Sequence, residues 1–472
     1  MPSRSLSRFA VATAVALAAV SLPTAEAFAE TPPTKIQDDF NGDGYEDLAV
    51  AAPLATVGDK TQAGYVAVLY GTASGLNTAA RQVYTQASPG VPGAPEKYDY
   101  FGSGLDSADL DGDGFTDLLV TASGEDWKRD DKEYRFRVTV LWGGRDGFAS
   151  GVALSAVGNG VDQDSDLASG DFNGDGHQDL IRRDRVEFGP LGRDGSPASV
   201  QEPGLVGAEN ETAHEIVAGD VDGDGITDVV ERHIVSHLDD TAPQYSLRYF
   251  RGSKGGLEPH TVLKDAQGEP VDAQGFDLAL GDLNGDGRAD LVNGDYTVEI
   301  SFGTENGPDT TRTRVIDQDT PGVPGTQEPE DSFGNELTVG DVDGDGYGDI
   351  LVGNPFERVG TVSEAGSVAV VPGGADGPTG AGTRVLSQQT AGVPGVAEAG
   401  DRFGWAFDLV DGDGDGRAEP VVGAFRENGG RGAVWVFPTT SSGVTAEGSF
   451  VFGAGTLGTV DSKGRLGKVF PN

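Results

Sequence analysis

The chain has 472 residues, no cysteine and a formal net charge of −43, from 76 acidic and 33 basic side chains. Nucleic acids and anionic membrane surfaces are disfavoured as partners, because both repel so acidic a protein. The lack of cysteine excludes a disulfide framework and a thiol nucleophile.

Residues 1–29 are predicted to be an export signal. Arg4 and Arg8 precede the apolar run Phe9–Leu22, and either Ala27–Ala29 or Ala25–Ala27 supplies a small-residue cleavage pattern. This run is shorter than the ~20 apolar residues that a membrane-spanning helix needs. We therefore expect a secreted, extracellular protein without membrane insertion, whose mature chain, residues 30–472, is a single domain.

One acidic pattern, D-x-[DN]-G-D-G-x-x-[DE], then occurs seven times. Its copies begin at Asp39, Asp109, Asp171, Asp220, Asp282, Asp341 and Asp411. Positions 1, 3, 5 and 9 carry oxygen side chains, and position 7 can add a backbone carbonyl; together they match the hard oxygen ligands that calcium takes. The two glycines of each copy allow the positive φ angles that so short a loop requires.

The pattern therefore predicts calcium as the cofactor, with up to seven ions and one site per copy. The predicted ligands are Asp39, Asn41, Asp43, Tyr45 and Asp47; Asp109, Asp111, Asp113, Phe115 and Asp117; Asp171, Asn173, Asp175, His177 and Asp179; Asp220, Asp222, Asp224, Ile226 and Asp228; Asp282, Asn284, Asp286, Arg288 and Asp290; Asp341, Asp343, Asp345, Tyr347 and Asp349; and Asp411, Asp413, Asp415, Arg417 and Glu419.

An EF-hand is the alternative interpretation of this pattern. It would need a glutamate at position 12 and a helix on either side. The fourth copy alone has an acid there, Glu231, and the flanking segments are short β-branched runs. A calcium loop joining two strands is the better interpretation.

The spacing of the copies predicts the architecture. The loops begin 49 to 70 residues apart, and each period contains four apolar runs. Examples of the first three runs are Phe276–Leu280, Asp290–Val292 and Val298–Gly303, and Thr383–Leu386 of the next repeat is an example of the fourth. Four antiparallel strands repeated seven times predict an all-β fold, a seven-bladed β-propeller with calcium-binding inter-strand loops. Few residues precede the first loop while residues 455–472 follow the last blade, so we expect the two chain ends to share a blade.

A second repeated element precedes three of the loops. Phe101-Gly102, Phe333-Gly334 and Phe403-Gly404 each begin eight residues before an acidic loop. With these residues the chain resembles the FG-GAP (VCBS) repeat family, including the propeller of integrin α-subunits and secreted bacterial integrin-like proteins. The resemblance implies structural calcium on one face of the propeller and ligand binding at the other. Copies 3, 4 and 5 depart from the family pattern because they lack Phe-Gly. In copy 7, Glu419 is one methylene longer than aspartate and Pro420 follows it, so we expect the seventh site to be distorted or to bind calcium more weakly.

The sequence offers little evidence for catalysis. There is no Gly-x-Ser-x-Gly motif. His177 lies at position 7 of an acidic loop, and the other four histidines are scattered in polar segments. We expect no enzyme but a monomeric module for binding or adhesion, with an extracellular glycan, cell-wall polymer or protein as partner. A secreted hydrolase, phospholipase-like or glycan-active, and a scaffold without a small ligand remain alternatives.

Three aromatic segments are candidates for ligand contact: the loop Gly124–Tyr134 with Trp127, the segment Tyr98–Tyr100, and Trp405. Trp142 and Trp435 lie in alternating strand patterns and are expected in the core. For Trp405, packing against the next blade is the stronger expectation.

Overall fold

The computed structural model describes residues 37–125, 127–129, 132–134, 136–155, 167–183, 185–205, 211–235, 243–328, 331–459 and 463–471. The predicted export signal lies outside the described residues. From Ile36 onward the chain belongs to one compact unit.

The first four repeats form four antiparallel sheets, in which strands adjacent in a blade follow one another along the chain. Their strands are β1 (Leu48–Ala52), β2 (Tyr65–Leu69) and β3 (Arg81–Tyr84) in blade 1; β4 (Phe101–Ala108), β5 (Asp117–Ala122), a hairpin of β6 (Trp127–Arg129) and β7 (Lys132–Tyr134), β8 (Arg137–Trp142) and β9 (Ser150–Ala153) in blade 2; β10 (Leu167–Gly170), β11 (Asp179–Arg182), β12 (Arg185–Phe188) and β13 (Ser199–Gln201) in blade 3; and β14 (Glu211–Gly219), β15 (Asp228–Val235), β16 (Gln244–Phe250) and β17 (Thr261–Val262) in blade 4.

The last three repeats form three further four-stranded sheets, two of which carry a short side hairpin. Their strands are β18 (Asp277–Gly281), β19 (Asp290–Gly294), β20 (Val298–Ser301), the hairpin β21 (Gly303–Thr304) and β22 (Gly307–Pro308), and β23 (Arg314–Ile316) in blade 5; β24 (Leu337–Gly340), β25 (Asp349–Asn354), β26 (Ser367–Val371) and β27 (Arg384–Leu386) in blade 6; and β28 (Ala406–Val410), β29 (Glu419–Ala424), β30 (Ala433–Val436), the hairpin β31 (Thr439–Thr440) and β32 (Gly443–Val444), and β33 (Phe450–Gly453) in blade 7. Two four-residue helices are α1 (Glu427–Gly430) and α2 (Ala454–Leu457).

The blades pack face to face, which explains why their central strands are apolar on both sides. Strand β26, with sequence SVAVV, is buried at every residue, as expected for a strand covered on both faces. Seven buried clusters correspond to the seven junctions between neighbouring blades, from blades 1 and 2 round to blades 7 and 1. The predicted seven-bladed β-propeller of antiparallel sheets is confirmed.

Both chain ends complete blade 1, as expected. Near the acidic loop, Asp38 O accepts a hydrogen bond from Asp47 N at 3.0 Å. At the far end of β1, Ala51 N donates to Val469 O at 3.0 Å and Gly467 N donates to Ala51 O at 3.2 Å. Residues from both ends of the chain thus pair with β1 in place of a separate innermost strand, and they close the ring.

The closing segment gives a first prediction. Phe470 is 4% exposed and packs at the junction of blades 7 and 1, beside Phe452 and Leu466. We expect Phe470→Ala to cost about 3–5 kcal/mol, because it removes a large buried side chain and leaves a cavity. Denaturant unfolding would measure this, with Val396→Ala, at a residue that is 73% exposed, as the control. Equal stability of the two variants would contradict closure by the C-terminal segment.

Candidate metal centres and the opposite face

The acidic loops share a hydrogen-bond pattern that begins at their first aspartate. In loop 6, Asp341 Oδ1 accepts from Gly344 N at 2.7 Å and from Asp345 N at 3.2 Å, and its Oδ2 accepts from Gly346 N at 2.9 Å. Gly344 and Gly346 have φ angles of 76° and 87°, which residues with a Cβ rarely adopt. The first aspartate therefore fixes the curl of the loop that joins the first two strands of its blade.

The carboxylate at position 9 ties each loop to the third strand of its blade. In loop 6, Asp349 Oδ2 accepts from Val342 N at 3.0 Å and its Oδ1 accepts from Gly373 N at 2.9 Å. The equivalent pair of bonds is made by Asp47, Asp117, Asp179, Asp228 and Asp290. Each position-9 side chain is thus fixed at the base of its loop.

Loop 7 departs from this arrangement. Glu419 Oε2 accepts from Gly412 N at 3.1 Å, but its Oε1 accepts from the Thr439 hydroxyl at 3.1 Å instead of a glycine amide. The extra methylene therefore changes the second partner. Weaker calcium binding at this loop stays a prediction.

The position-9 carboxyl groups are buried, and none of them forms an ion pair with a basic side chain among the described residues. Burial raises the pKa of Asp117 to about 8 and that of Asp349 to about 7, nearby carboxylates add to the effect, and backbone hydrogen bonds partly offset it. A group in this environment is ionised at neutral pH when a cation lies close to it.

In four loops the carboxylates converge, with one oxygen from each of three residues within 4.8 Å of the others. The sets are Asp109, Asp111 and Asp117; Asp220, Asp222 and Asp228; Asp341, Asp343 and Asp349; and Asp411, Asp413 and Glu419. Loops 1, 3 and 5 have Asn41, Asn173 and Asn284 at the third position, where an amide oxygen would replace the carboxylate.

These donor sets fit a hard divalent cation. They consist of oxygen atoms, the ligand type of Ca²⁺ and Mg²⁺. Asp343 Oδ1 is buried and meets no hydrogen-bond donor within the described part of the chain, so a cation there would satisfy it. In four of the loops, the residues predicted to hold calcium are therefore brought together at positions 1, 3 and 9.

Two arginines that the sequence pattern did not identify reach into loops 2 and 4. Arg193 extends from blade 3, and its Nη2 lies 2.5 Å from Asp113 Oδ2. Arg251 places Nε 2.5 Å from Asp222 Oδ2 and Nη2 3.1 Å from Asp224 Oδ2. These guanidinium groups offset part of the negative charge of both loops.

Contacts between loops join them around the propeller. The position-7 side chain of one loop packs on the first glycine of the preceding loop, so a Cβ on Gly42 would lie 2.4 Å from Phe115 Cε1. Tyr45 of loop 1 packs in the same way on Gly414 of loop 7, and Glu46 N donates to Asp411 O at 3.4 Å. The predicted metal loops therefore occupy one face as a closed ring.

The opposite ends of the same strands carry the predicted aromatic candidates. Trp142 and Trp435 are buried, as expected. Trp405 is half-buried, with ring centroids 4.9 Å from Phe425 and 6.3 Å from Phe356, so packing explains it. Tyr98 is 55% exposed, whereas the side chains of residues 126–135, including Trp127, lie outside the described residues.

His233 differs from the expectation that it lies in a polar segment. His233 is in strand β15 and 0% exposed, with Nδ1 3.2 Å from Oε1 of Glu231, which is also 0% exposed. Sequence reasoning missed the pair because both residues interrupt the apolar pattern of the strand. Its burial keeps it from contact with an external substrate.

Comparisons with known proteins agree with the repeats and the fold. The FG-GAP repeat model matches residues 38–69, 101–141 and 333–371. Integrin alpha pat-2 of Caenorhabditis briggsae is 30% identical over 266 residues, which are 53% of this chain and 21% of that protein. The Caenorhabditis elegans protein of the same name is 29% identical over 231 residues, 45% of this chain and 18% of that protein. The chain thus carries FG-GAP repeats in a seven-bladed β-propeller and is similar in sequence to integrin α-subunits.

Other proteins are similar over shorter or weaker matches. Phosphatidylinositol-glycan-specific phospholipase D of Rattus norvegicus is 31% identical over 182 residues, 36% of this chain and 21% of that protein. The chain thus spans about a fifth of the length of these curated relatives. Among solved structures, rhamnogalacturonan lyase YesW aligns with a TM-score of 0.29 and 13% identity over 74% of this chain and 72% of that one. A TM-score this low does not establish a shared fold.

The first strands of neighbouring blades contact one another around the propeller axis and carry a group of acids. Arg232 Nη1 lies 2.8 Å from Glu215 Oε2, and Asp277 Oδ2 accepts from Leu337 N at 2.5 Å. Burial raises the pKa of Asp277 to about 7 and that of Glu336 to about 8, and the neighbouring carboxylates add to the effect.

No helix in the described part of the FG-GAP propeller is long and apolar enough to cross a membrane.

Glu336 gives a prediction about pH. Its folded pKa of about 8 lies above the ~4.3 of an unfolded glutamate, so the folded protein binds a proton that the unfolded chain releases. Its contribution to stability is present below about pH 4, falls as the pH rises, and is lost above about pH 8. We expect Glu336→Gln to raise the melting temperature by a few degrees near pH 9 and to leave it unchanged near pH 4.

Thermal melts across this pH range, in a constant calcium concentration, would test the prediction. Glu447→Gln, at an exposed position, is the matched control and should follow the wild type. A parallel response of both variants at every pH would show that Glu336 does not titrate as described.

Proposed function

We propose that this FG-GAP propeller is a secreted binding or adhesion module, in which calcium stabilises the ring and an extracellular partner binds the opposite face. The observation that carries the proposal is the closed ring of seven acidic loops on one face. At the opposite ends of the strands, the connecting loops differ between blades, and binding residues usually lie on such variable loops. The integrin α relatives support a protein partner, and glycans and cell-wall polymers remain candidates.

Calcium is proposed as a structural ion because its expected contribution matches the stability of a domain. Extracellular sites have Kd values of ~10⁻⁴–10⁻³ M. In millimolar calcium each would contribute about 0.4–1.4 kcal/mol, and seven together about 3–10 kcal/mol, comparable to the stability of a whole domain. Asp343 and its equivalents would hold the ion, while the position-9 carboxylates would both bind it and anchor the third strand.

We therefore expect chelation to lower the melting temperature substantially. Melts in millimolar calcium, in excess EDTA, and in EGTA with added magnesium would measure the effect and identify the cation. An unchanged melt in excess chelator would rule out a structural metal.

A variant at one loop would test the ligand assignment. Asp343→Ala should reduce the bound calcium by one ion and remove part of the calcium-dependent stabilisation, because Asp343 Oδ1 has no other partner in the described residues. In EDTA the variant should melt no lower than the wild type, since it also removes repulsion between carboxylates. The control is Asp376→Ala, at an exposed turn, and calcium would be counted by mass spectrometry under native conditions. A full complement of calcium in Asp343→Ala would contradict the assignment.

The binding role is tested by an array of glycans, cell-wall fractions and extracellular matrix proteins, probed in millimolar calcium and in excess chelator. Selective binding that chelation abolishes supports the module. Lack of binding in both conditions would favour a scaffold, and hydrolysis of a phospholipid or glycan on the same array would favour the secreted hydrolase.

A further inference from the structure

An exposed aromatic pair lies at the end of blade 5 opposite its acidic loop. Phe276 precedes β18 and Tyr296 follows β19, and the two are 41% and 51% exposed. Their ring centroids are 5.5 Å apart with an interplanar angle of 75°. This edge-to-face contact holds the rings in place while leaving much of their surface to solvent.

The other blades show that the fold does not require these rings. Phe276 is six residues before the first aspartate of its loop, and Tyr296 is six residues after the ninth. At the same offsets blade 2 has Ser103 and Ser123, which are hydrogen-bonded at 3.1 Å through the Ser123 amide and the Ser103 hydroxyl. The aromatic pair is therefore additional to what a blade needs.

Blade 7 also has an aromatic pair at these offsets, but it is covered. Trp405 and Phe425 meet at 4.9 Å, and the guanidinium groups of Arg402 and Arg465 lie 5.5 and 5.3 Å from their respective ring centroids. Phe425 is 3% exposed. The blade 5 pair thus differs from its equivalent in being open to solvent.

Tyr296 of this pair lines an open recess of about 450 Å³, together with Asp319, Gln327 and Glu328. Gln327 fixes one wall, because its Nε2 donates to Tyr296 O at 3.1 Å and its backbone N donates to Asp319 Oδ1 at 3.4 Å. Within the described residues, no donor engages the Glu328 carboxylate or Asp319 Oδ2. The recess therefore combines an aromatic wall with free hydrogen-bond acceptors.

We propose, on the basis of the binding function above, that this recess binds a neutral saccharide, with its sugar ring against Tyr296 and its hydroxyl groups donating to Asp319 and Glu328. The aromatic face attracts the weakly positive C–H groups on one side of a sugar ring, and carboxylates accept hydrogen bonds from hydroxyl groups. One apolar wall with a few polar groups is the usual composition of a small-molecule site.

Charge and size favour this class over the alternatives. Two carboxylates in a chain of net charge −43 repel uronates, sulfated sugars and acidic peptides. A basic side chain would suit the carboxylates, but a single ammonium or guanidinium group would fill little of a recess of about 450 Å³. That volume lies in the ~300–1,000 Å³ range of small-molecule sites, as expected for a short oligosaccharide.

Saturation-transfer NMR and calorimetry would test the proposal with the full mature chain in millimolar calcium. The probes are cellopentaose, maltopentaose, mannopentaose and xylopentaose as neutral sugars, a galacturonate oligomer as the anionic sugar, and an arginine-containing peptide as the basic ligand. We expect at least one neutral pentasaccharide to bind, and Tyr296→Ser to weaken it about tenfold or more, since stacking on an aromatic ring contributes on that scale. Asp319→Asn combined with Glu328→Gln should weaken the same sugar with the aromatic pair intact.

Serine is chosen because blade 2 has serine at the equivalent site, so the variant should keep the wild-type melting temperature. Val200→Ser is the control, since it removes another exposed apolar side chain, at 45% exposure, from a different blade, and it should bind as the wild type does. Failure of all four neutral sugars, or equal binding by Tyr296→Ser and the wild type, would overturn the proposal. Binding of the basic peptide that the same variants abolish would overturn the saccharide assignment.

These outcomes are separable from those of the general binding role. Calcium-dependent capture of a protein or another glycan on the array, unaffected by Tyr296→Ser, would leave the module intact and reject this site.

Discussion

The structure depends on one repeated interaction, the two-sided hydrogen bonding of the position-9 carboxylate. In Asp349 one oxygen accepts from the loop amide of Val342 and the other from Gly373 at the end of the third strand. A single buried side chain thus fixes the loop, the start of the second strand and the end of the third. The same side chain is a predicted metal ligand, so the residue that holds the blade together is also one that we expect to contact a cation.

The loops then couple the blades to each other. A position-7 side chain covers the first glycine of the preceding loop, and backbone bonds such as Gly348 N to Asp282 O at 2.7 Å repeat the link. These contacts also join loop 7 to loop 1, so each loop packs against a neighbouring loop on both sides and none is an isolated turn. The opposite face lacks this uniformity: equivalent positions carry Ser103 in blade 2, Phe276 in blade 5 and Trp405 in blade 7. The acidic-loop ends of the strands thus carry the same acidic pattern in every blade, whereas the opposite ends carry residues that differ from blade to blade.

Much of the fold follows from local pattern. The Asp/Asn-Gly-Asp-Gly spacing specifies a turn with positive φ at two glycines, and the apolar runs on either side specify strands. The seven blades can therefore be predicted from the sequence. The core tryptophans Trp142 and Trp435 were predicted for the same reason. The burial of His233 and Glu231 was not predicted, because polar residues inside a strand are interpreted as exposed, whereas these two contact each other within β15.

The sequence by itself determined the number of blades and the positions of the acidic loops, because both depend on residues close together in the chain. Tertiary structure alone decided how the ends close blade 1, which arginines reach the loops, and which aromatic residues stay exposed. Arg193 is 80 residues from Asp113, and Phe276 and Trp405 occupy equivalent positions but meet different neighbours. Such outcomes depend on packing between distant segments, for which a single sequence carries no periodic signal.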